Sequence, residues 1–527
     1  MATAIQAQER GQKHPRGLYV LFGTEMWERF GFYTVNGMLA LYVRDAVQGF
    51  GFTNAQAAVL SSWYLGFVYF TPLLGGFIAD RFIGFRRAIM LGGFLFMAGY
   101  SLLAVPGSLP IFYLALALII LGNGFFKPNV SSMVGNLYPE GSPLKDKAYL
   151  IFYMGINIGA FTAPLLAEFI QPRWGFNVAF AAAAVGMALG MILFAFNQKH
   201  VRHADPARRR KSDFTRANGS ASHQEAVATT EDAPPVLNER ALAMQAVPEW
   251  KRIMALLVVF AIVIVFWMVF HQNSITLTFW ANDHTAWNVT GILSNAINPM
   301  WIIILSLPLA SFWSWLERKG REPSTPAKMM FGMMLTGVSF VILYFAAIVG
   351  GFTKPAAEVV QVAGDQALVH ISPEARAHLG ITAEPTAKSE AGDDLWAVQI
   401  PAGATVEAGD FLRLEDTTGS SLAVGTTREV SPWWLIIAYG VLSLGELMLS
   451  PMGLSLVSKV APVRMRGLMM GGWFAATAIG NKLTAIGGYW DLWSHSSFFI
   501  ILAGMAGSMA VLLFFLLKPL KKAMPGV

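Results

Sequence analysis

The 527-residue chain contains no cysteine and few charged residues. Without thiols it cannot form disulfides, thiolate metal sites or a cysteine nucleophile. Charged residues make up 13% of the sequence, whereas a soluble protein carries about a quarter. Hydrophobic residues make up 55%. A surface that faces lipid explains both values, because charge in a bilayer is costly. The sequence therefore predicts an integral membrane protein.

Twelve apolar segments approach the length of about 20 residues that a membrane-spanning helix needs. They form two sets of six, which predicts a 6+6 bundle. The first set covers 18–43, 56–79, 87–105, 110–135, 148–170 and 176–196. The second set covers 253–280, 290–315, 328–350, 433–458, 465–488 and 496–518. The predicted class is an all-α membrane protein with a small β-rich insert.

Lysine and arginine are concentrated in alternate short loops, so the positive-inside rule predicts that both termini are cytoplasmic. The basic loops include Arg10, Lys13 and Arg16; Arg81, Arg86 and Arg87; Arg318, Lys319 and Arg321; and Lys459, Arg464 and Arg466. This distribution is a topology signal and not a phosphate-binding face, so no nucleic-acid partner is expected. The expected location is the inner (plasma) membrane.

Two polar inserts divide the chain. An N-terminal bundle is predicted at 1–196, a cytoplasmic linker at 197–252, and a C-terminal bundle at 253–350 and 431–527. Residues 351–430 alternate as strands do between Gly, Pro and Asp breaks, which predicts a β-rich extracytoplasmic insert. The alternative is a loop insertion without a function, since surface loops accept inserts at low cost.

The first span carries charges on one face. Glu25, Glu28 and Arg29 lie at positions i, i+3 and i+4, and Tyr33 and Asn36 continue the stripe. A charged face of this kind is not compatible with lipid and is expected to line a cavity.

Lys127 in the fourth span is the expected counter-charge of this face. Two acids and two bases form a group whose pairing changes when one carboxyl takes up a proton. The alternative is an ion-pair cluster that only holds two helices together.

The second half has fewer ionisable candidates. Glu446 is the only acid in a long apolar run, and it either binds a ligand or pairs with a neighbouring helix. His271, one turn after Trp267, is either a titrating switch or a hydrogen-bonded core residue.

Polar and aromatic residues at mid-span depth complete the candidates. Trp473, Thr477 and Asn481 form a stripe that serves either a pocket or packing. Asn157 and Asn298 either join helices or bind a ligand. Together the residues predict a cavity with charges of both signs, suited to the two ends of a zwitterion. No metal-ligand spacing, phosphate loop or catalytic set stands out, so neither an enzyme nor a metal site is expected.

Several segments resemble motifs of the proton-dependent oligopeptide transporters, a branch of the major facilitator superfamily. Glu25 followed by ERFGFY at 28–33 resembles the ExxERFxYY motif. The other matching segments are GNGFFKPNVSSMVG (122–135), FYMGINIGAFTAP (152–164), GELMLSP (445–451) and, for the superfamily loop, GGFIADRFIGFRR (75–87).

The resemblance implies a symporter that imports di- and tripeptides with protons by alternating access. It implies no cofactor besides protons as the coupling ion. The implied proton-coupling residues are Glu25, Glu28, Arg29, Lys127 and His271. The implied substrate contacts are Tyr33, Asn36, Tyr69, Lys127, Asn157, Trp267, Asn298, Glu446, Trp473 and Thr477. Asp80 and Arg81 belong to the gate loop. We expect the protein to be surrounded by membrane lipid and to function as a monomer.

Three positions depart from the family pattern. Phe32 stands where the motif has its first Tyr, and Asn36 and His271 replace an ion pair that relatives use at the outer gate. We therefore predict that His271 titrates as a gate residue, with Asn36 as its expected hydrogen-bond partner. The remaining alternatives are the same fold carrying nitrate or a modified peptide, and a peptide sensor that does not transport.

Overall fold

Long helices make up most of the computed structural model, which describes residues 14–138, 144–205, 246–389, 392–417, 422–462 and 465–525. The first six are α1 (Arg16–Arg44), α2 (Asn54–Ile78), α3 (Phe85–Leu103), α4 (Leu109–Asn136), α5 (Leu144–Trp174) and α6 (Phe176–Asn197). Each corresponds to one predicted span within a few residues.

The later helices follow the same prediction. They are α7 (Glu249–Phe270), α8 (Thr276–Asp283), α9 (Ser294–Arg318), α10 (Thr325–Gly350), the short α11 (Pro373–Leu379), α12 (Pro432–Val460), α13 (Arg466–Leu483) and α14 (His495–Ala523). A 3-10 turn at His271–Ser274 separates α7 from α8, which together replace one predicted span. The predicted all-α bundle with a small sheet is confirmed.

Nine helical segments within the described residues are long and apolar enough to cross a membrane. The 29-residue α1 is not one of the nine, although its length is sufficient. It carries Glu25, Glu28 and Arg29, which lower its hydropathy. Charges in a helix of this length mark a functional face.

The chain divides into two compact units. The first contains Met1–Val35 and Phe67–Glu239, and the second contains Asn36–Gly66 and Arg240–Val527. The end of α1 and the beginning of α2 therefore pack in the second unit, although the sequence assigns both helices to the N-terminal bundle.

Small residues let helix backbones touch at the points that position the candidate residues. A Cβ on Gly75 of α2 would lie 2.0 Å from the Gly124 carbonyl oxygen of α4. A Cβ on Gly159 of α5 would lie 2.3 Å from the Met26 carbonyl oxygen of α1. Such close approach is typical of membrane helices, where packing drives association.

The predicted insert contains a six-stranded antiparallel sheet. Its strands are β1 (Ala356–Ala363), β2 (Gln366–His370), β3 (Ala387–Lys388), β4 (Asp394–Gln399), β5 (Phe411–Asp416) and β6 (Ala423–Thr426), in the order β3-β4-β2-β1-β5-β6. Val359 pairs with Val369, which pairs with Trp396. All three are buried in one apolar core, so the insert is a folded sheet.

The predicted linker at 197–252 is described only at its ends. Two 3-10 turns, Gln198–His200 and Arg202–Ala204, follow α6. They bring Asp205 to the beginning of α3, where its Oδ2 accepts from Arg86 Nε at 3.1 Å. Most of the predicted linker, 206–245, lies outside the described residues.

Candidate functional site

In the first unit, the charged face of α1 is buried. Glu25 and Glu28 are 0% exposed and Arg29 is 1% exposed. The guanidinium of Arg29 donates through Nε and Nη2 to the two carboxylate oxygens of Glu28. Its Nε lies 3.5 Å from Glu25 Oε1. One cation is therefore shared by two acids, and only one of them is hydrogen-bonded to it.

Asn123 of α4, which was not predicted from the sequence, accepts a further hydrogen bond from Arg29. Its Oδ1 accepts from Arg29 Nη2 at 3.3 Å, and its Nδ2 donates to the Val68 carbonyl at 2.6 Å. The backbone contact between α2 and α4 makes this second bond possible. The available signal was a polar residue four positions before Lys127 in an apolar helix, which places both on one face.

Lys127 lies on α4 in the same cluster, and its charge interacts with those of Glu25, Glu28 and Arg29. Its Nζ lies 5.1 Å from the ring centroid of Tyr69 on α2, a cation–π contact. Within the described part of the chain, Lys127 makes no ion pair and no side-chain hydrogen bond. The ammonium group is therefore available to an anionic ligand.

Phe32 and Tyr33 follow the charged residues on α1. The guanidinium of Arg29 lies 4.8 Å from the ring centroid of Phe32. The side chain that departs from the family motif thus lacks the hydroxyl but supplies a cation–π contact. Tyr33 is partly buried and packs edge-on against Phe32.

The other predicted residues of the first unit lie apart from this ion pair. Asn157 on α5 is 7% exposed, and its Nδ2 donates to the Tyr153 carbonyl one turn earlier at 2.8 Å. Asp80 and Arg81 are exposed in a π-helical turn, Ala79–Ile83, that ends α2. Their predicted role in a gate stays a prediction.

In the second unit, Glu446 of α12 is held by Asn298 of α9. Asn298 Nδ2 donates to Glu446 Oε2 at 3.0 Å and to Ser443 Oγ at 2.9 Å. The sequence analysis missed Ser443, which lies three residues before Glu446 on the same face of α12. In the ranges that the structure covers, no basic side chain forms an ion pair with Glu446. The carboxylate can therefore accept a cation.

His271 lies where α7 ends and the 3-10 turn begins. Its ring stacks on Trp267, with 5.2 Å between centroids and 20° between planes. The stacking against Trp267 restricts the orientation of the imidazole. The expected hydrogen bond with Asn36 stays a prediction. The predicted titration of His271 stays a prediction.

The stripe on α13, formed by Trp473, Thr477 and Asn481, is buried. Trp473 is 2% exposed and contacts α12 so closely that a Cβ on Gly453 would lie 1.8 Å from its ring. Thr477 Oγ1 donates to the Trp473 carbonyl at 3.0 Å. Asn481 is 0% exposed, and neither atom of its amide group is hydrogen-bonded to a described residue. These positions support the packing interpretation for Trp473 and Thr477.

Comparison with protein families gives a match to the model of the POT family over residues 86–382 and 408–487. These ranges include α3 to α13 in part or whole and exclude residues 383–407, which contain β3 and β4 of the insert.

Curated relatives match nearly the whole chain. The uncharacterized transporter YclF of Bacillus subtilis (strain 168) is 29% identical over 98% of this chain and 96% of the relative. Dipeptide and tripeptide permease A of Escherichia coli (strain K12) is 28% identical over 90% of this chain and 84% of the permease. The di-/tripeptide transporter of Lactococcus lactis subsp. lactis (strain IL1403) is 27% identical over 97% of both.

Solved structures agree with the sequence matches. A peptide transporter POT in complex with sulfate superposes with a TM-score of 0.71 and 27% identity, covering 97% of this chain and 96% of that one. A mutant POT in complex with alafosfalin gives a TM-score of 0.70 and 28% identity over the same shares.

Proposed function

The chain belongs to the POT family, and from this premise we propose that it is a proton-coupled symporter that imports di- and tripeptides by alternating access. Relatives that match 90% and 97% of this chain carry the names dipeptide and tripeptide permease A and di-/tripeptide transporter. The observation that carries the proposal is a pair of buried or partly buried charges of opposite sign, Lys127 and Glu446, that lack ion-pair partners among the described residues. A peptide is a zwitterion with one group for each.

We assign the ends of the peptide by charge. Lys127 would bind the carboxylate, and Glu446, held by Asn298 and Ser443, would bind the ammonium group. Both residues are partly buried, where a charge without a partner is costly. A ligand with only one charge would leave one residue unpaired, which disfavours a simple anion.

The remaining predicted contacts would shape the side-chain pockets. Tyr33, Tyr69 and Trp267 present aromatic surface, and Asn36 and Asn157 add polar groups. Trp473 and Thr477 are buried and would support the pocket from behind. His271 would act at the gate through its contact with Trp267.

Proton coupling would use the exchange of partners at Arg29. A proton on Glu28 removes the negative charge that holds the guanidinium, and Glu25 at 3.5 Å is the alternative partner. Glu25 accepts no hydrogen bond from the described residues, so it can take up this interaction without breaking another one. The change in net charge would alter the electrostatic environment of the Lys127 ammonium group. It would thereby change the affinity of Lys127 for the peptide carboxylate.

The location, topology and functional unit that we propose are those predicted from the sequence. We propose a multi-pass protein of the inner (plasma) membrane with cytoplasmic termini, surrounded by lipid and functional as a monomer. Protons would be the coupling ion, without another cofactor and without enzyme activity.

Uptake of labelled dialanine into proteoliposomes tests the proposal. Wild type, Glu28→Gln and Glu446→Gln would be compared with and without an inward proton gradient, with Glu317→Gln, an exposed acid of α9, as the matched control. We expect gradient-driven accumulation by wild type and Glu317→Gln. Glu28→Gln should lose accumulation and keep counterflow exchange, and Glu446→Gln should reduce both at low dialanine concentration. Absence of both accumulation and exchange in wild type would overturn the peptide assignment.

A further inference from the structure

Asn481 of α13 is a fully buried polar residue whose side-chain amide has no hydrogen-bond partner within the described part of the chain. It is 0% exposed, and this holds for both its Nδ2 and its Oδ1. A primary amide offers two donors and an acceptor. Because an unpaired amide away from water is unfavourable, a buried asparagine of this kind is expected to be completed by a ligand or a bound water.

The sequence neighbours of Asn481 show which way its side chain faces. A Cβ on Gly480 would lie 2.6 Å from the Ile264 carbonyl oxygen, so this side of α13 touches α7. Lys482 Nζ donates to Ser62 Oγ at 3.3 Å, so another side touches α2. Successive residues of an α-helix are rotated by about 100°. Asn481 therefore faces the space between α7 and the first part of α2, and these segments belong to the same unit.

A second buried donor without a partner lies on α7. Trp267 is 7% exposed, and its Nε1 forms no hydrogen bond to a described residue. A Cβ on Gly480 would lie 2.7 Å from the Cβ of Trp267, so Trp267 and Asn481 are at the same level of their helices. Since buried polar groups are almost always paired, two unpaired groups at one level favour a polar ligand over a packing defect.

Asn481 also lies at the depth of Glu446, to which we assign the ammonium group of the peptide. α12 and α13 meet where a Cβ on Gly453 would be 1.8 Å from the ring of Trp473. Glu446 precedes Gly453 by seven positions, and Gly480 follows Trp473 by seven. Helices joined by a short connection run in opposite directions. At 1.5 Å per residue, both positions therefore lie about 10 Å from this contact on the same side of it.

A tripeptide differs from a dipeptide in the groups that it offers between its charged ends. In a dipeptide, each residue has one of its two backbone groups in the ammonium or the carboxylate. The middle residue of a tripeptide has a free N–H and a free C=O. In an extended chain these two groups point to the same side, as they do in the hydrogen-bonded pairs of an antiparallel sheet. An asparagine amide presents one donor and one acceptor side by side and can bind both.

We propose that Asn481 binds the middle residue of a tripeptide through its N–H and C=O, and that this contact sets the affinity for tripeptides relative to dipeptides. The inference rests on the proposed transport function. With the ammonium group at Glu446, the middle residue follows one residue length, about 3.5 Å, along the peptide. Asn481 is covered in the described conformation. Alternating access uncovers the residues of the cavity in turn, so the contact forms in another state of the cycle.

Stability separates a binding role from a packing role. Leucine has a branched shape similar to that of asparagine, and Asn481→Leu removes the unpaired amide. The matched control is Asn177→Leu, because Asn177 Nδ2 donates to the Leu103 carbonyl at 3.1 Å and the variant loses this bond. Asn481→Leu should therefore unfold at a higher dodecyl sulfate concentration than Asn177→Leu. The reverse order would overturn the proposal.

The direct test is isothermal titration of the purified protein with dialanine and trialanine. One neutral hydrogen bond corresponds to about 5-fold in affinity and two correspond to about 25-fold. We expect Asn481→Leu to weaken trialanine binding by about 25-fold and dialanine binding by less than about 5-fold. Asn177→Leu should keep both wild-type affinities.

A trialanine methylated on the nitrogen of its middle residue gives a readout that a structural role would not move. Methylation removes the N–H that donates to Asn481 Oδ1 in the proposed contact. Wild type should therefore bind this peptide more weakly than trialanine. In Asn481→Leu the difference should shrink by about 5-fold, because the N–H has no partner there. Conformational effects of the methyl group are common to both proteins and cancel in this comparison.

Equal losses of affinity for dialanine and trialanine in Asn481→Leu would overturn the contact, as would a methylation penalty that is the same in the variant and wild type. If Asn481→Leu does not fold, Asn481→Ala is titrated with the same criteria. The expected ratios without proton-driven uptake would refute the transport function and leave the contact standing. Dialanine uptake with unchanged ratios would do the reverse, and absence of binding of either peptide to wild type would overturn both.

Discussion

In the buried cluster of the first unit, replacing Arg29 should lower the free energy of unfolding more than replacing any other residue. The three charged residues of α1 should differ in the size of this loss. Arg29 donates two hydrogen bonds to Glu28 and one to Asn123. Arg29→Gln would leave two fully buried carboxylates with Lys127 as the remaining counter-charge among the described residues. Removal of one partner of a buried ion pair costs about 3–5 kcal/mol.

Replacing either glutamate should lower the free energy of unfolding less than replacing Arg29 does, and the reason differs between the two. Glu28→Gln keeps one carbonyl acceptor for Arg29 and loses one charge-assisted hydrogen bond, which is worth about 1.5–3 kcal/mol. Glu25→Gln breaks no hydrogen bond to a described residue, and its distance to Arg29 is 3.5 Å. Removal of Glu25 should therefore cost less than that of Glu28, because a buried carboxylate without a hydrogen-bond donor is itself costly to keep charged.

The measurement is the free energy of unfolding in bicelles titrated with dodecyl sulfate, for the three variants and wild type at one pH. The expected order of destabilisation is Arg29→Gln, then Glu28→Gln, then Glu25→Gln. Transport should not follow this order, because Glu25→Gln and Glu28→Gln both remove a proton-accepting group. A Glu25→Gln variant as unstable as Arg29→Gln would refute the partner assignment.

Three further outcomes are expected. Glu446→Gln should raise the KM for dialanine more than it lowers kcat, measured by initial uptake rates; an unchanged KM would contradict its role in binding. Gly453→Ala should destabilise the protein by about 1–3 kcal/mol because the new methyl group overlaps the ring of Trp473, whereas Gly507→Ala, with no atom within 4 Å of its Cβ, should not. His284 binds protons more weakly when folded, so stability should fall by up to about 3 kcal/mol as pH decreases from 6.5 towards about 4. His284→Gln should remove that slope in thermal unfolding, and a slope that persists would contradict the assignment.

The helices could be predicted from sequence because hydropathy and length act locally. A bilayer imposes a span of about 20 apolar residues, and the ends of α2, α4 and α10 fall close to the predicted limits. The break at His271–Ser274 was not predicted. The four residues of the turn are polar, and Gln272 Nε2 donates to the Thr484 carbonyl at 3.0 Å, a contact with a distant segment that local composition does not predict.

The charged face of α1 could be predicted for the same reason, since helical periodicity alone brings Glu25, Glu28 and Arg29 together. Their partners could not. Asn123 is 94 positions from Arg29 along the chain, and only the packing of the helices brings its Oδ1 within 3.3 Å of Arg29 Nη2. Such a contact between distant segments leaves no periodic signal.

The ion pair between Arg44 at the end of α1 and Asp283 at the end of α8 could not be predicted for a related reason. Arg44 and Asp283 are 239 positions apart, and each lies at a helix end where a charge is ordinary. An ionised residue at a membrane boundary carries no functional signal by itself. Their pairing depends on the packing of residues 36–66 in the second unit, which the division into two six-helix bundles does not predict.

The most direct test of the central claim is entry of protons driven by peptide. Wild-type protein is reconstituted into liposomes that contain a pH-sensitive dye and have a negative-inside potential, and dialanine is added outside without a pH gradient. Proton-coupled import predicts acidification of the lumen that depends on dialanine, is lost in Glu28→Gln and is preserved in Glu317→Gln. Dialanine uptake without acidification would contradict proton coupling.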